Sequence, residues 1–220
     1  MMSLIDLLQG PDPHADRVYG VVTGVVTNNE DPDGLGRVKL RFPWFSDEDE
    51  SGWARCATPM SGKEMGVYFL PSVDDEVLVA FQHGDVNSPY VIGSLWNMES
   101  KPPEKNDDGK NGFRTIKSLS GHVIRLTDTE GSERIEIIDK TAKNSIVIDT
   151  KENTITITAD ADVTIKSANG KLVLSGAGVE ISSTADFKVD AKGNAEVKCV
   201  NLTLEGSGPT VLKGATVAIN

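Results

Sequence analysis

Aromatic residues make up only 5% of this 220-residue chain, and there are two cysteines and three histidines. Each shortage narrows what the protein can be. Cys56 and Cys199 lie far apart in segments of different composition, so no disulfide framework is expected, and both read as buried thiols in a reducing compartment. His14, His83 and His122 are widely spaced with no second ligand at a neighbouring position, so no metal set is read from them. Basic residues are outnumbered, 22 Lys and Arg against 33 Asp and Glu, for a formal charge of −11. That balance excludes a phosphate-neutralising surface and so argues against nucleic acid. It equally disfavours docking on anionic lipid headgroups. No apolar run approaches a membrane span, and Leu4 to Leu8 is too short for a signal-peptide core and lacks a basic flank. Synthesis and assembly in the cytoplasm are therefore expected.

Catalytic patterns are missing too. There is no G-x-S-x-G elbow and no glycine-rich phosphate loop, and Ser120-Gly121-His122 is an isolated local coincidence. Asp74-Asp75-Glu76 would point to alternating faces of a strand, so turn and solvent roles are expected. The acidic run Asp47 to Glu50 lacks the spacing and glycine of a calcium loop and reads as solvated. Trp44 and Trp53 read as barrel core, or alternatively as a partner contact. No enzyme activity, cofactor or metal is expected.

What the chain does have is two halves of different grammar. All three Trp, all three Tyr and nine of the ten Pro precede residue 104, and proline is then absent until Pro209. The expected division is an amino-terminal segment (1–17, with a short helix over Ser3 to Leu8), a barrel domain (18–98), a linker (99–114) and a β-rich spike (115–220). In the first half, Val18 to Thr27 is β-branched around Gly24, which suggests a bulge or bend. Arg37 to Phe42 alternates charged and apolar residues, and Trp53 to Thr58, Gly66 to Leu70, Glu76 to Gln82 and Pro89 to Leu95 supply further strands. So many short strands in so short a stretch fit a Greek-key barrel of the OB type.

The second half repeats apolar pairs two residues apart: Ile135/Ile137, Ile146/Ile148, Ile155/Ile157, Val163/Ile165, Leu172/Leu174, Val179/Ile181, Phe187/Val189, Val197/Cys199 and Leu202/Leu204, with Val217/Ile219 at the end. Polar turns such as Lys151-Glu152-Asn153 and Ala168-Asn169-Gly170 separate them. Steps of about eight to eleven residues are too short for one chain to wrap its own core, whose coils need roughly 20. Three chains solve this by forming an intertwined triple-stranded β-helix, a β-prism in which the inward pairs meet on a threefold axis. A monomeric sheet would leave an apolar face in water. At about 4.8 Å per strand the stack would make a rod on the order of 50 Å long. An OB-type binding module with a passive stalk, and a β-helical adhesin or polysaccharide-active enzyme, are the rival readings. The first needs a basic groove with aromatics and the second clustered carboxylates on one face.

The ordered set Gly36-Arg37-Val38-Lys39-Leu40-Arg41-Phe42-Pro43-Trp44, Trp53-Ala54-Arg55, Gly66 to Pro71, Asp75 to Phe81, Gly84-Asp85, Pro89 to Gly93 and Asn97 resembles the barrel domain of contractile-tail spikes, namely phage baseplate assembly protein V and VgrG spikes. Ile116 to Ile124 and Asp128 to Ile137 resemble the start of that family's β-helix. The resemblance implies a homotrimer at the tip of a tube, beneath a separate hub protein, and transient contact with a target membrane on injection. It also implies assembly into the baseplate of a phage-tail-like particle, with which the spike is released. The His-x-His iron motif of some short phage spikes is absent. The residues Val217, Ala218, Ile219 and Asn220, in a largely apolar carboxy-terminal stretch, are expected to carry a PAAR-type tip protein.

Overall fold

A computed structural model describes residues 17–46 and 49–218. The expected helix over Ser3 to Leu8, His14, and Asp47 of the acidic run lie outside the described residues, as do Ile219 and Asn220. The chain divides into two units between Val163 and Thr164.

The first unit begins with a closed barrel of β1 (Val21–Asn28), β2 (Arg37–Arg41), β3 (Ala54–Cys56), β6 (Glu76–Phe81) and β7 (Pro89–Ser94), in the order β1-β2-β3-β7-β6 with β6 closing onto β1. All its pairings are antiparallel except β3 with β7, as the Greek-key barrel of the sequence reading requires. Alternation decides what is inside. Val26, Val38, Leu40, Ala54, Val77, Val79, Phe81 and Val91 form the buried core, while the residues between them face outward.

Two local expectations shift. Gly24 carries no bulge: the register slip against β2 falls between Val26 and Asn28. Gly24 is small because the Phe42 ring would come within 3.1 Å of a Cβ there. Gly66 to Leu70 does not form a strand. Residues 61–66 instead make a small hairpin of β4 (Ser61–Gly62) and β5 (Met65–Gly66). Gly66 has φ 151°, and a Cβ on it would sit 2.6 Å from the Met60 carbonyl oxygen. The strand pattern at 66–70 fails because that backbone is reachable only by glycine.

The turn from β1 to β2 is built on Asp31. Its carboxylate accepts the backbone N–H groups of Asp33, Leu35 and Arg37 and the guanidinium of Arg37, with Arg37 Nη2 at 2.6 Å. Arg37 above all, with the three backbone donors, holds the Asp31 carboxyl well below the usual carboxylate range against the opposing effect of burial.

After the barrel, β8 (Phe113–Lys117), β9 (Val123–Thr127), β10 (Arg134–Ile138), β11 (Ser145–Asp149) and β12 (Thr154–Thr158) form an antiparallel meander in simple chain order. The stretch expected to change faces at every turn therefore pairs within one chain over residues 113–158. Residues 159–218 contain no strand, and among the described residues none from 161 onward makes a backbone-to-backbone hydrogen bond.

Candidate assembly surfaces

The meander is amphipathic because five five-residue strands are in register and side chains alternate between faces. The pairing places Ile116, Ile124, Ile137, Ile146 and Ile157 in one row across the sheet, and Arg114, Leu126, Ile135, Ile148 and Ile155 in a second. Arg114 leaves the apolar set by turning to Asp128 and the Asn111 carbonyl, at 2.8 and 2.7 Å. The other nine remain exposed, from 40% for Ile148 to 71% for Ile155, and a depression of about 480 Å³ runs along the first row. An aliphatic face of this extent in water marks an interaction site.

The opposite face is largely polar and carries several ion pairs, although Thr127 Oγ1 and Glu136 Oε2 are buried there without a hydrogen-bond partner. Glu104 reaches back from the connecting segment and accepts from Thr115 Oγ1 at 2.9 Å, Arg125 Nε at 2.9 Å and Arg125 Nη2 at 2.6 Å. Burial pushes the Glu104 carboxyl up, but the hydrogen bonds of Thr115 and Arg125 and the charges of Arg125 and Lys117 outweigh it, and the net shift is downward. Arg125 also lies 5.7 Å over the Phe113 ring, and the buried Glu136 carboxylate is 3.2 Å from Arg134 Nε. Glu104 thus ties the expected linker to the β8–β9 part of the polar face, while Thr154, Thr156 and Thr158 on β12 stay exposed.

Of the residues expected at the trimer core, Ile135, Ile137, Ile146, Ile148, Ile155 and Ile157 share that one face. Val163, Ile165, Leu172, Leu174, Val179, Ile181, Val197, Leu202 and Leu204 fall beyond the last strand, all exposed in the single chain. Ile116, Ile124 and Leu126 belong to the same face but were not among the expected core residues. Their period-two spacing, Arg114/Ile116 and Ile124/Leu126, carried the signal. Glu104 gave none, because its role depends on residues up to 21 positions away.

On the barrel, Phe42, Trp44, Phe45, Phe81 and Val86 line a smaller groove of about 140 Å³, with Asp49 and Glu50 at its margin. Trp44 packs at tilted and edge-on angles against Phe42 and Phe45, at centroid distances of 6.0 and 5.8 Å, and stays about half exposed. Trp53 lies beneath Arg37 and Lys39, 5.8 and 5.5 Å from its ring centre. Neither tryptophan is in the core, which is built from five valines with Leu40, Ala54 and Phe81. Acidic residues beside the aromatic groove disfavour a nucleic-acid ligand there.

The remaining polar candidates have structural partners. Glu50 accepts from Lys39 Nζ and Thr27 Oγ1, both at 2.6 Å, and Lys39 chiefly lowers its carboxyl pKa. Asp75 accepts the Ser72 N–H and Glu76 accepts from Asn97, while Asp74 sits in a left-handed turn at φ 72°. His83 occupies the turn after β6 at φ 49°, and His122 Nδ1 accepts the Lys140 N–H. Ser118 Oγ accepts the His122 N–H in a tight turn. Cys56 is half-buried, which pushes its thiol pKa up, whereas Cys199 is exposed in the single chain rather than buried. Among the described residues no three His, Cys, Asp or Glu side chains converge as a metal site would require.

A five-stranded closed barrel with parallel β3/β7 pairing, followed by an antiparallel β-meander with one exposed aliphatic face, is an OB-type barrel joined to a second all-β element. Residues 22–96 match the type VI secretion system/phage-baseplate injector OB domain family, and the barrel is an injector OB domain. The chain is 35% identical over 141 residues to the type VI secretion system spike protein VgrG5 of Pseudomonas aeruginosa, covering 58% of this chain and 18% of that protein. It is 31% identical over 141 residues to VgrG4b of the same organism, covering 58% and 17%. To VgrG3 of Vibrio cholerae it is 32% identical over 113 residues, covering 47% and 11%. It spans less than a fifth of each of these relatives. These matches support the resemblance to VgrG-type spike proteins over the matched part of the chain.

Proposed function

We propose that this chain is the central spike of a contractile injection machine, working as a homotrimer and without enzymatic activity. One observation carries the reading: nine aliphatic residues are aligned on one open sheet face, while the reverse face is polar and partly covered by ion pairs. Three such faces turned toward a common axis would remove them from water together. Residues 161–218 support the same reading, because among the described residues they make no backbone-to-backbone hydrogen bond in their own chain and their apolar pairs are exposed, so other chains could supply both. An intertwined triple-stranded β-helix supplies them and yields a rigid rod.

In this account the barrel faces a baseplate hub protein, and the rod points outward from the tip of the tube. It meets the target membrane only during injection. Val217 and Ala218 would contact a PAAR-type tip protein; Ile219 and Asn220, the other expected contacts, lie outside the described residues. The chain is made in the cytoplasm and built into the baseplate of a phage-tail-like or type VI-like particle. The relatives named as type VI spike proteins, and the injector OB match of the barrel, support this placement. The test is to produce particles with an epitope-tagged chain and locate the tag by immunogold microscopy. Label at the tube tip under the baseplate supports the proposal, and particles that assemble fully without the chain would sink it.

A further inference from the structure

The aromatic groove of the barrel is lined by Phe42, Trp44 and Phe45 from the end of β2 and the loop after it, and by Phe81 and Val86 from the end of β6 and the turn that follows. Phe81 is buried and lies 5.5 Å from the Phe42 ring, so it forms the floor, whereas Trp44, Phe45 and Val86 stay exposed, Phe45 by 71%. Single exposed apolar residues are ordinary, but rings gathered around a depression of about 140 Å³ mark a contact site. Its volume suits an aliphatic side chain or two rather than the face of a folded partner. Asp49 and Glu50 at the margin disfavour an acidic occupant, and Glu50 is already held by Lys39 and Thr27.

The described chain begins beside this groove. The Val18 N–H donates to the Gly84 carbonyl at 2.9 Å, and Arg17 Nη1 donates to the His83 carbonyl at 2.8 Å. Gly84 has φ 79°, and a Cβ on it would lie 3.0 Å from Arg17 Cβ, so the turn after β6 clasps residues 17 and 18 closely. Val86, a wall of the groove, follows Gly84 by two residues, which keeps their Cα atoms within about 7.6 Å. Upstream of Arg17, residues 9–16 are mostly polar and contain Pro11 and Pro13, which favour an extended tether able to span at most about 29 Å. Before the tether stand Leu4, Ile5, Leu7 and Leu8, with Asp6 the only charge among them. In the helix expected there, Leu4, Leu7 and Leu8 share one face and Asp6 lies away from it.

We propose that residues 4–8 dock their aliphatic face into the Phe42, Trp44 and Phe45 groove of their own barrel, with residues 9–16 as the tether. The anchor decides between the chain's own barrel and another. The tether starts from the turn whose next residues wall the groove, so the effective concentration of the segment is highest at its own site. Docked there, Leu4, Leu7 and Leu8 would leave water together with the open faces of Trp44 and Phe45, and Asp6 would stay solvated. The groove is then an internal contact of the barrel, closed to other ligands while the segment occupies it. This holds for one chain by itself and does not depend on the trimer.

The test is photo-crosslinking in the full-length protein, with p-benzoylphenylalanine in place of Leu4, Leu7 or Leu8 in turn. Irradiation should link at least one of these probes to residues 42–45 or 86–87, located by mass spectrometry of the digested band. That band should keep the mass of a single chain on a denaturing gel. Phe45→Ser with Val86→Ser removes two exposed walls of the groove and should abolish the link, while circular dichroism and the mass by light scattering match the parent. Leu8→Asp, with the probe at position 4, should abolish it from the side of the segment. Links found only between chains would place the segment on a neighbouring copy and overturn the proposal. So would links to no groove residue from any probe, or links that persist in either variant.

Discussion

Replacing Ile137 by Asp should convert the protein from trimer to folded monomer, and the magnitude follows from the sheet geometry. Ile137 lies between Ile124 and Ile146 in the first aliphatic row and is 48% exposed in the single chain. Full burial of an isoleucine is worth about 1.5–3 kcal/mol, so covering the exposed half contributes roughly 0.7–1.5 kcal/mol per copy and about 2–4 kcal/mol per trimer. The aspartate forfeits that and brings three carboxylates into one dry layer, at several kcal/mol each on the order of effective ion desolvation. The total exceeds about 10 kcal/mol, a shift of roughly seven decades in the association constant. The monomer itself loses little, because the new side chain points to water where the isoleucine did. The expected cost is about 1 kcal/mol of strand preference. Size-exclusion chromatography with light scattering reads the outcome, with circular dichroism confirming that the β structure persists. Thr156→Asp, on the other face of the same sheet, serves as the control and should stay trimeric. If Ile137→Asp remains a trimer of unchanged melting temperature, the aliphatic face is not the assembly surface.

Ile165→Asp should likewise abolish the trimer while Thr164→Asp is tolerated, and equal behaviour of the two by light scattering would refute the inward and outward assignment. Gly66→Ala should destabilise the barrel by roughly 1–3 kcal/mol, since a Cβ would meet the Met60 carbonyl oxygen at 2.6 Å in a backbone region that only glycine occupies readily; chemical denaturation of the isolated variant against the parent measures it. Asp31 has its carboxyl pKa depressed in the folded chain, chiefly by Arg37. Its contribution to stability is therefore present above the unfolded pKa near 4 and lost as pH falls through the lower folded value. Asp31→Asn should be less stable at neutral pH, with a shallower loss of melting temperature between about pH 4 and pH 2. Parallel acid profiles of variant and parent would contradict that.

The barrel was legible because its core obeys period two over strands of five or six residues. Val38 and Leu40 in β2, and Val77, Val79 and Phe81 in β6, are all inward as the alternation requires. Less legible were positions governed by backbone shape or by distant partners. The pattern at Gly66 to Leu70 reads as a strand until the Gly66 backbone makes it a hairpin end. Trp44 and Trp53 look like core by size, yet the core is built from five valines with Leu40, Ala54 and Phe81, and the rings lie at the surface beside cations or other rings. In the second half the period-two pairs identified the aliphatic positions, but periodicity does not distinguish pairing within a chain from pairing between chains. Glu104 was missed because its setting between Thr115 and Arg125 exists only once β8 and β9 are paired.

The account rests on self-association, and the most direct test is the solution mass of the unmodified full-length chain by multi-angle light scattering at micromolar concentration. The account requires about 71 kDa, three times the chain mass of 23.6 kDa, unchanged on dilution. A mass of 23.6 kDa, with the aliphatic face of the meander open in solution, would contradict it.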